Sequence, residues 1–185
     1  MSEGDLRRRL LFLSVAAFVL AASPSASAAD RSLEYAVKAT FLYKFAPFVD
    51  WPPGALGDGE APFVICIVGA DPFGDSTERM LEGQRIGTHP LALRRLAVAD
   101  AHAGCHVMFV AGSPAQPVTQ ALDAVRGTPT LTVTDAPAAP GIIRFVMIND
   151  RVNFEIDANA AAANHLTISS KLLALAHTVS DGDRR

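Results

Sequence analysis

The sequence predicts a three-layer α/β fold, in which helices cover both faces of a mostly parallel β-sheet and a C-terminal antiparallel hairpin closes one edge. Three observations predict it. "PFVICIVG" (residues 62–69) and "HVMFVAG" (106–112) are apolar almost without interruption, the pattern of strands buried on both faces. Segments of helical periodicity fall between the strand-like runs, as they do where crossover helices connect parallel strands. Near the end, "GIIRFVMI" and "VNFEI" flank Asn149-Asp150-Arg151, and the second run alternates between faces, which reads as a hairpin.

The elements follow in chain order. "SLEYAVKATFLYKFA" (32–46) reads as a helix, with Ser32 as its N-cap and Glu34 and Lys38 as a supporting i,i+4 pair. It carries two apolar stripes, one of Leu33, Val37, Phe41, Phe45 and Phe48, the other of Tyr35, Ala39, Leu42, Ala46 and Val49. A helix apolar on nearly every side is buried by more than one neighbour. The stripe with Phe41 is expected on the sheet. Tyr35 and Leu42 are expected to face outward, into either further packing within the chain or a homodimer or partner surface, where aromatic residues are enriched. With "YKFAPFVDWP" (43–52), this region holds both tyrosines and the only tryptophan, and Trp51 before Pro52-Pro53 marks the turn into the first strand.

After the strand at 62–69, "FGDSTERMLEG" (73–83) reads as a helix and "PLALRRL" (90–96) as a strand. The strand at 106–112 precedes a helix over 114–126, which Gly127 and Pro129 stop. "TLTVTD" (130–135) is a strand, the hairpin follows, and residues 157–163 and 169–177 read as closing helices. Together these elements describe a Rossmann-like or flavodoxin-like sheet.

Export is written at the start of the chain. Arg7-Arg8-Arg9 precede "LLFLSVAAFVLAA", which is shorter than the roughly 20 apolar residues a membrane span needs. Small residues follow, and Ala26-Ser27-Ala28 offers a cleavage site, so residues 1–28 read as a signal peptide and 29–185 as a single domain. Removing the peptide takes away three arginines with Glu3 and Asp5, moving the net charge from −3 to −4. A mildly acidic chain without a basic patch argues against nucleic acid. No internal repeat divides it, and only the ends and "PPGALGDGEAP" (52–62) look loose.

In an oxidising compartment, pairing is the default for the only two cysteines, Cys66 and Cys105. The alternative is a reactive thiol or metal site, because "HAGCH" sets His102, Cys105 and His106 together. Zinc wants four ligands, and only Cys66 and the scattered His89, His165 and His177 remain to complete a set. The first cysteine of a haem attachment motif is missing. No metal and no cofactor is expected.

Ligands of such sheets lie at the carboxyl ends of the parallel strands, near the point where strand order reverses. The first such end is Gly69-Ala70-Asp71-Pro72-Phe73-Gly74, which is neither a dinucleotide fingerprint nor a P-loop. It is either a strand-to-helix turn, with Asp71 as cap and Pro72 at the first helical position, or a ligand crevice lined by Asp71, Phe73 and Gly74. Ser113 in "AGSPA" lacks the second glycine of a nucleophile elbow, and Ser169-Ser170-Lys171 lacks the serine-to-lysine spacing of a penicillin-binding site. Capping explains those serines. Asp135, Glu155 and Asp157 lie at element ends with no spacing that marks an acid/base pair. The chain does not read as an enzyme.

Six segments in order carry a resemblance: "YAVKATFLYKFAPFVDWP", "FVICIVGADPFGD", "CHVMFVAGS", "TLTVTD", "FVMINDRVNFEI" and "LTISSKLLALA". As a set they resemble the YfiR/HmsC-like family of periplasmic regulators, over nearly all of the exported chain. The resemblance implies an α/β repressor that holds down an inner-membrane diguanylate cyclase through its periplasmic sensor region, lowering cyclic-di-GMP and biofilm formation. It also implies a homodimer, and sequestration by an OmpA-like outer-membrane lipoprotein. Cys66 and Cys105 match the cysteines of a family disulfide; a second bridge found in some members has no counterpart here. Partner contacts are expected on the hairpin and residues 164–171, so Asn164, Ile168 and Lys171 join Tyr35 and Leu42 as the candidate surface. The competing function is a periplasmic small-molecule sensor or carrier using the strand-end crevice.

Overall fold

The computed structural model describes residues 28–180, so the segment read from sequence as a signal peptide, apart from Ala28, lies outside the described residues. Helix α1 spans Ala28–Phe45, with Asp30 in its first turn, where the helix dipole favours an acid. It starts ahead of Ser32, which therefore sits inside the helix and is not its N-cap. A single 3₁₀ turn (Ala46–Phe48) with Pro47 at its start redirects the chain into the short β1 (Val49–Asp50). The remaining elements are β2 (Phe63–Gly69), α2 (Ser76–Leu81), β3 (Arg85–Ile86), β4 (His89–Leu96), β5 (Val107–Gly112), α3 (Val118–Ala124) and β6 (Leu131–Thr134). Then come β7 (Ile143–Ile148), β8 (Arg151–Asp157), α4 (Ala158–Ala163), β9 (Thr167–Ile168), α5 (Ser170–Leu173) and β10 (Thr178–Ser180).

The main sheet has the order β10-β8-β7-β6-β5-β2-β4-β3, while β1 and β9 form a separate antiparallel pair. Strands β4, β2, β5, β6 and β7 are mutually parallel. Numbered by appearance, these five run 2-1-3-4-5, the flavodoxin-like doubly wound order. The predicted hairpin is present: β8 returns antiparallel to β7 with Phe145 opposite Phe154. Its two-residue turn, Asn149 and Asp150, has φ of +50° and +58°, a conformation these short polar side chains tolerate and a type I′ turn requires.

Several boundaries differ from the sequence reading, each for a local reason. Asp71 does not cap α2; its Oδ1 accepts from the Phe73 N–H at 2.7 Å in a turn that precedes the helix. Helix α3 starts only at Val118, because residues 113–116 form a turn in which the Ser113 and Gln116 main chains bond each other. The expected closing helix over 169–177 stops after one turn; the His177 N–H then donates to Phe154 O at 2.8 Å, and the chain runs on as β10 parallel to β8. The other two helices are capped by side chains: Asp157 accepts from Asn159 and Ala160 N–H, and Ser169, read from sequence as a capping serine, accepts from Leu172 N–H.

Both sheet faces are covered, which is why β2 is apolar at consecutive positions. Ile65 and Ile67 belong to a core with Leu42, Phe45, Phe109, Val133 and Phe145 under α1. Cys66 and Val68 belong to a second core with Met108, Val110, Ala121 and Val125 under α3. Each large side chain so buried contributes about 1.5–3 kcal/mol. Cys66 and Cys105 form a disulfide in the second core, with 5.8 Å between Cα atoms.

Helix α1 is rotated relative to the sequence reading. Ala39, Leu42, Ala46 and Val49, the stripe left between further packing within the chain and a partner surface, are buried within the chain, and Leu42 is only 1% exposed. In the other stripe, Phe45 is buried but Leu33 and Val37 are 67% and 37% exposed. Lys38 lies on the buried side. Although a lysine ordinarily marks a solvent face, this one is 3% exposed and faces inward. The aromatic density of the region is core packing at the lower end of the helix, where the Phe45 ring lies 5.1 Å from Phe154 and 5.5 Å from Phe41.

Candidate functional site

Strand order reverses between β2 and β5, so their carboxyl ends define the place where a ligand crevice is expected. The chain closes that place with its own groups. Gly69 has φ of +87°, and a Cβ there would lie 2.3 Å from Gly112 O, so only glycine admits the close approach of the two strand ends. The Ala70 N–H donates to the same oxygen at 3.0 Å. Phe73 is buried above them, edge-on to Phe109 at 4.7 Å and to Tyr35 at 5.5 Å.

Arg95, projecting from β4, clamps the loop that carries Phe73. Its guanidinium donates to Asp71 at 2.6 Å, to Gly74 O at 3.1 Å and to Glu78. The hydrogen bonds to Glu78 and then Asp71 raise the Arg95 pKa further, and the Arg95 bond holds the Glu78 carboxyl below its ordinary value. Asp71, Phe73 and Gly74 are therefore brought together, but as a closed turn. What stays open beside them is a cleft of about 600 Å³ lined by Arg31, Ser32, Tyr35 and residues 71–74.

At the end of β6 the same layer is pinned by a charge cluster. Lys38 Nζ lies 2.8 Å from Asp135 Oδ2 and 2.5 Å from Glu34 Oε1, and Tyr35 donates its hydroxyl to Asp135 at 2.9 Å. The ammonium also stands 4.4 Å from the Tyr35 ring centroid. Burial alone pulls the Lys38 pKa down; the hydrogen bonds to Asp135 and Glu34 outweigh it and leave Lys38 above its ordinary value. Burial raises the Tyr35 phenol, and the Asp135 charge raises it further. The expected Glu34–Lys38 pair exists, with a third partner, Asp135, 97 residues away, that no local spacing singles out.

The "HAGCH" residues do not converge on a metal. Cys105 is in the disulfide, and His106 turns away, accepting from Val64 N–H through Nδ1 at 2.9 Å and lying 3.0 Å from Ala55 O through Nε2. Those partners fix the neutral tautomer with its proton on Nε2. The ring stacks on Phe63 at 4.8 Å and pins the loop after Trp51 to the sheet.

Burial, reinforced by His89, lowers the His106 pKa. Between that folded value and about 6.5 the unfolded chain binds more protons, so stability falls as pH drops through this window and is restored above it. Urea midpoints measured at pH 5 and pH 7 should therefore differ more for the wild type than for His106→Gln. The variant should lose about 1–2 kcal/mol at pH 7 through its unsatisfied main-chain partners. Equal pH slopes in the two proteins would refute the assignment.

The other residues singled out from sequence have structural work. Ser113 Oγ accepts from Gln116 N–H, Glu155 pairs with Arg144, and Asp157 caps α4. The candidate partner surface needs correction. Leu42, Asn164 and Ile168 are buried within the chain, Asn164 because its side chain bonds Gly127 N and Thr130 O, Ile168 because β9 pairs with β1. Tyr35 is half-buried against Asp135, and Lys171 is exposed.

An apolar groove that the sequence reading did not single out lies between α1 and the β7–β8 hairpin. Leu33, Val37, Phe41, Met147 and Val152 line it, with charged residues at the rim, and its volume is about 940 Å³. The i,i+4 spacing of Leu33, Val37 and Phe41 was visible in the sequence; the side on which it falls was not.

No curated protein matches the chain significantly. Residues 35–177, running from the tyrosine that bonds Asp135 to the histidine that bonds β8, match the profile described as YfiR/HmsC-like. This match spans well over half of the sequence and takes in the closed strand ends, the disulfide and the hairpin, and the chain belongs to the YfiR/HmsC-like family.

Proposed function

We propose that this protein is a periplasmic repressor of an inner-membrane diguanylate cyclase, acting on the cyclase's periplasmic sensor region to lower cyclic-di-GMP and biofilm formation. Residues 1–28 are removed on export and 29–185 act as one unit, as a homodimer, with an OmpA-like outer-membrane lipoprotein able to draw it away from the cyclase. Family membership supports a periplasmic regulator of cyclic-di-GMP signalling. The observation that carries the choice of a protein partner over a small ligand is the closed switch point, where Phe73 and the Gly69–Gly112 contact occupy the place a small molecule would take.

Among the described residues no helix is long and apolar enough to cross a membrane. A periplasmic regulator of a cytoplasmic product must therefore act through a partner that does cross, by binding one of its states more tightly. Repression of a hundredfold requires a hundredfold difference in affinity, about 2.7 kcal/mol. Deleting the gene should raise cyclic-di-GMP and surface attachment, and periplasmic re-expression should restore both. An unchanged nucleotide level, under conditions where the protein is abundant, would transfer the weight to the small-molecule sensor or carrier, for which the cleft lined by Arg31, Ser32 and Asp71 is the candidate site.

A further inference from the structure

We infer that residues 52–62, between Trp51 and β2, form a flap that acid opens: a proton on His106 releases the Trp51 end from the sheet, while His89 holds the other end. The inference goes beyond the repressor reading and does not depend on the partner. Two carbonyls tie the flap to the sheet. Ala55 O lies 3.0 Å from His106 Nε2, and Ala61 O lies 2.9 Å from Nδ1 of His89 on β4. Three main-chain bonds are internal to the segment, Ala55 N–H to Pro52 O, Gly57 N–H to Gly54 O and Ala61 N–H to Asp58 O, so it can move as a piece.

The two histidines respond to acid in opposite ways, because their Nδ1 atoms have opposite roles. His89 Nδ1 faces a carbonyl and carries its proton in either charge state, so a second proton at Nε2 leaves the bond intact. His106 Nδ1 faces the Val64 N–H at 2.9 Å and must stay bare to accept it. An imidazolium is a donor at both nitrogens. A proton at Nδ1 of His106 therefore sets two N–H groups against each other, and the ring leaves its place. With it go the bond to Ala55 O and the stack on Phe63.

No neighbouring charge offsets this. Of the groups packed around His106, His89 is the titratable one that acts on it, and its charge opposes a second charge nearby. Asp50, Asp58 and Glu60 are exposed, as are Asp100 and His102 in the turn before β5, and none of them contributes to holding a proton on the ring.

Trp51 favours the opened state. Its Nε1 is buried with no hydrogen-bond partner among the described residues, and water satisfies that N–H once the flap lifts. The indole stands edge-on to Phe63 at 5.6 Å and to His106 at 6.1 Å. Phe63 is fully buried beneath them, so opening uncovers an aromatic surface that neutral pH conceals.

The test is hydrogen exchange at single amides of the exported protein between pH 7 and pH 5, corrected for the intrinsic pH dependence of exchange. Trp51, the only tryptophan, gives a second readout. Between the lowered folded pKa of His106 and about 6.5, one proton couples to opening, so the opening constant read at the Val64 N–H should rise by up to about tenfold per pH unit. The Ile67 and Phe109 amides, in the middle of β2 and β5, should not follow. The Trp51 emission should shift to the red over the same range. His106→Gln binds no proton there and should show a less protected Val64 amide with no pH dependence. His89→Asn keeps an N–H donor for Ala61 O while removing the opposing charge, so the flap should open at higher pH.

A Val64 amide whose protection is constant from pH 7 to pH 5 overturns the inference. So does a loss that Ile67 and Phe109 share in full, which is global unfolding, and one that persists in His106→Gln, which assigns the proton elsewhere. Where His106→Gln does not fold, His89→Asn decides alone: an unchanged opening pH overturns the inference, and a rise supports it.

Discussion

Lys38→Met is expected to destabilise the protein by about 3 kcal/mol, the lower end of the range for removing one partner of a buried ion pair. The ammonium is almost wholly enclosed, while Asp135 and Glu34 keep about a quarter of their side-chain exposure. Removing the lysine leaves two carboxylates facing each other across an apolar side chain; the water that still reaches them limits the loss. Asp135→Asn should cost less, about 1–2 kcal/mol, because Lys38 then retains Glu34. Urea unfolding reads both as shifts in midpoint at constant slope.

The double variant should show a coupling of more than 1 kcal/mol, since the two groups share one contact. A loss below 1 kcal/mol for Lys38→Met would mean the pair is effectively screened and does not set the rotation of α1. The wild type should also weaken at alkaline pH. Lys38 and Tyr35 both have raised folded pKa values, so their contribution is complete below about 10 and is lost as pH rises through the folded values.

Removing the disulfide should have an effect of similar size for a different reason. Cys66 and Cys105 are 39 residues apart, and closing such a loop stabilises by about 4 kcal/mol in the chain-entropy model. Cys66→Ala/Cys105→Ala should lose about 2–4 kcal/mol, the lower figure applying if the reduced unfolded chain already holds residual structure. The double substitution is preferred because a single one leaves an unpaired thiol in the second core. Mass spectrometry of the non-reduced exported protein should find one linked peptide pair, and alkylation of both cysteines without prior reduction would sink this prediction. On the proposed repressor function, activity should fall in proportion to the folded fraction, since the bridge lies in the second core and away from the surface of α1.

The buried strands were legible because burial on two faces leaves no position for a polar residue, and "VICIV" obeys that rule on both sides of the sheet. The hairpin was legible from Asn149 and Asp150, and a cap from Ser169, because each acts within a few residues of itself; the Asp157 cap was equally local but was not singled out. Strand β10 and the β1–β9 pair were not, since two or three residues carry no periodicity and their partners are far along the chain. The strand end was recognised as a decisive place, but its closure depends on Gly112 reaching Gly69 and on Arg95 holding Asp71.

The sequence by itself determined the layered α/β architecture, the pairing expected of its two cysteines and the presence of a helix apolar on two sides. Only the tertiary structure decided which side is core. Both stripes of α1 are apolar enough to bury, so their periodicity cannot choose between them, and Lys38 argues locally for the wrong answer. Folding brings Asp135 from the end of β6 within 2.8 Å of that lysine, which makes a charged residue tolerable inside. With Lys38 accommodated inside, Leu42 lies in the core and Leu33 and Val37 lie on the surface.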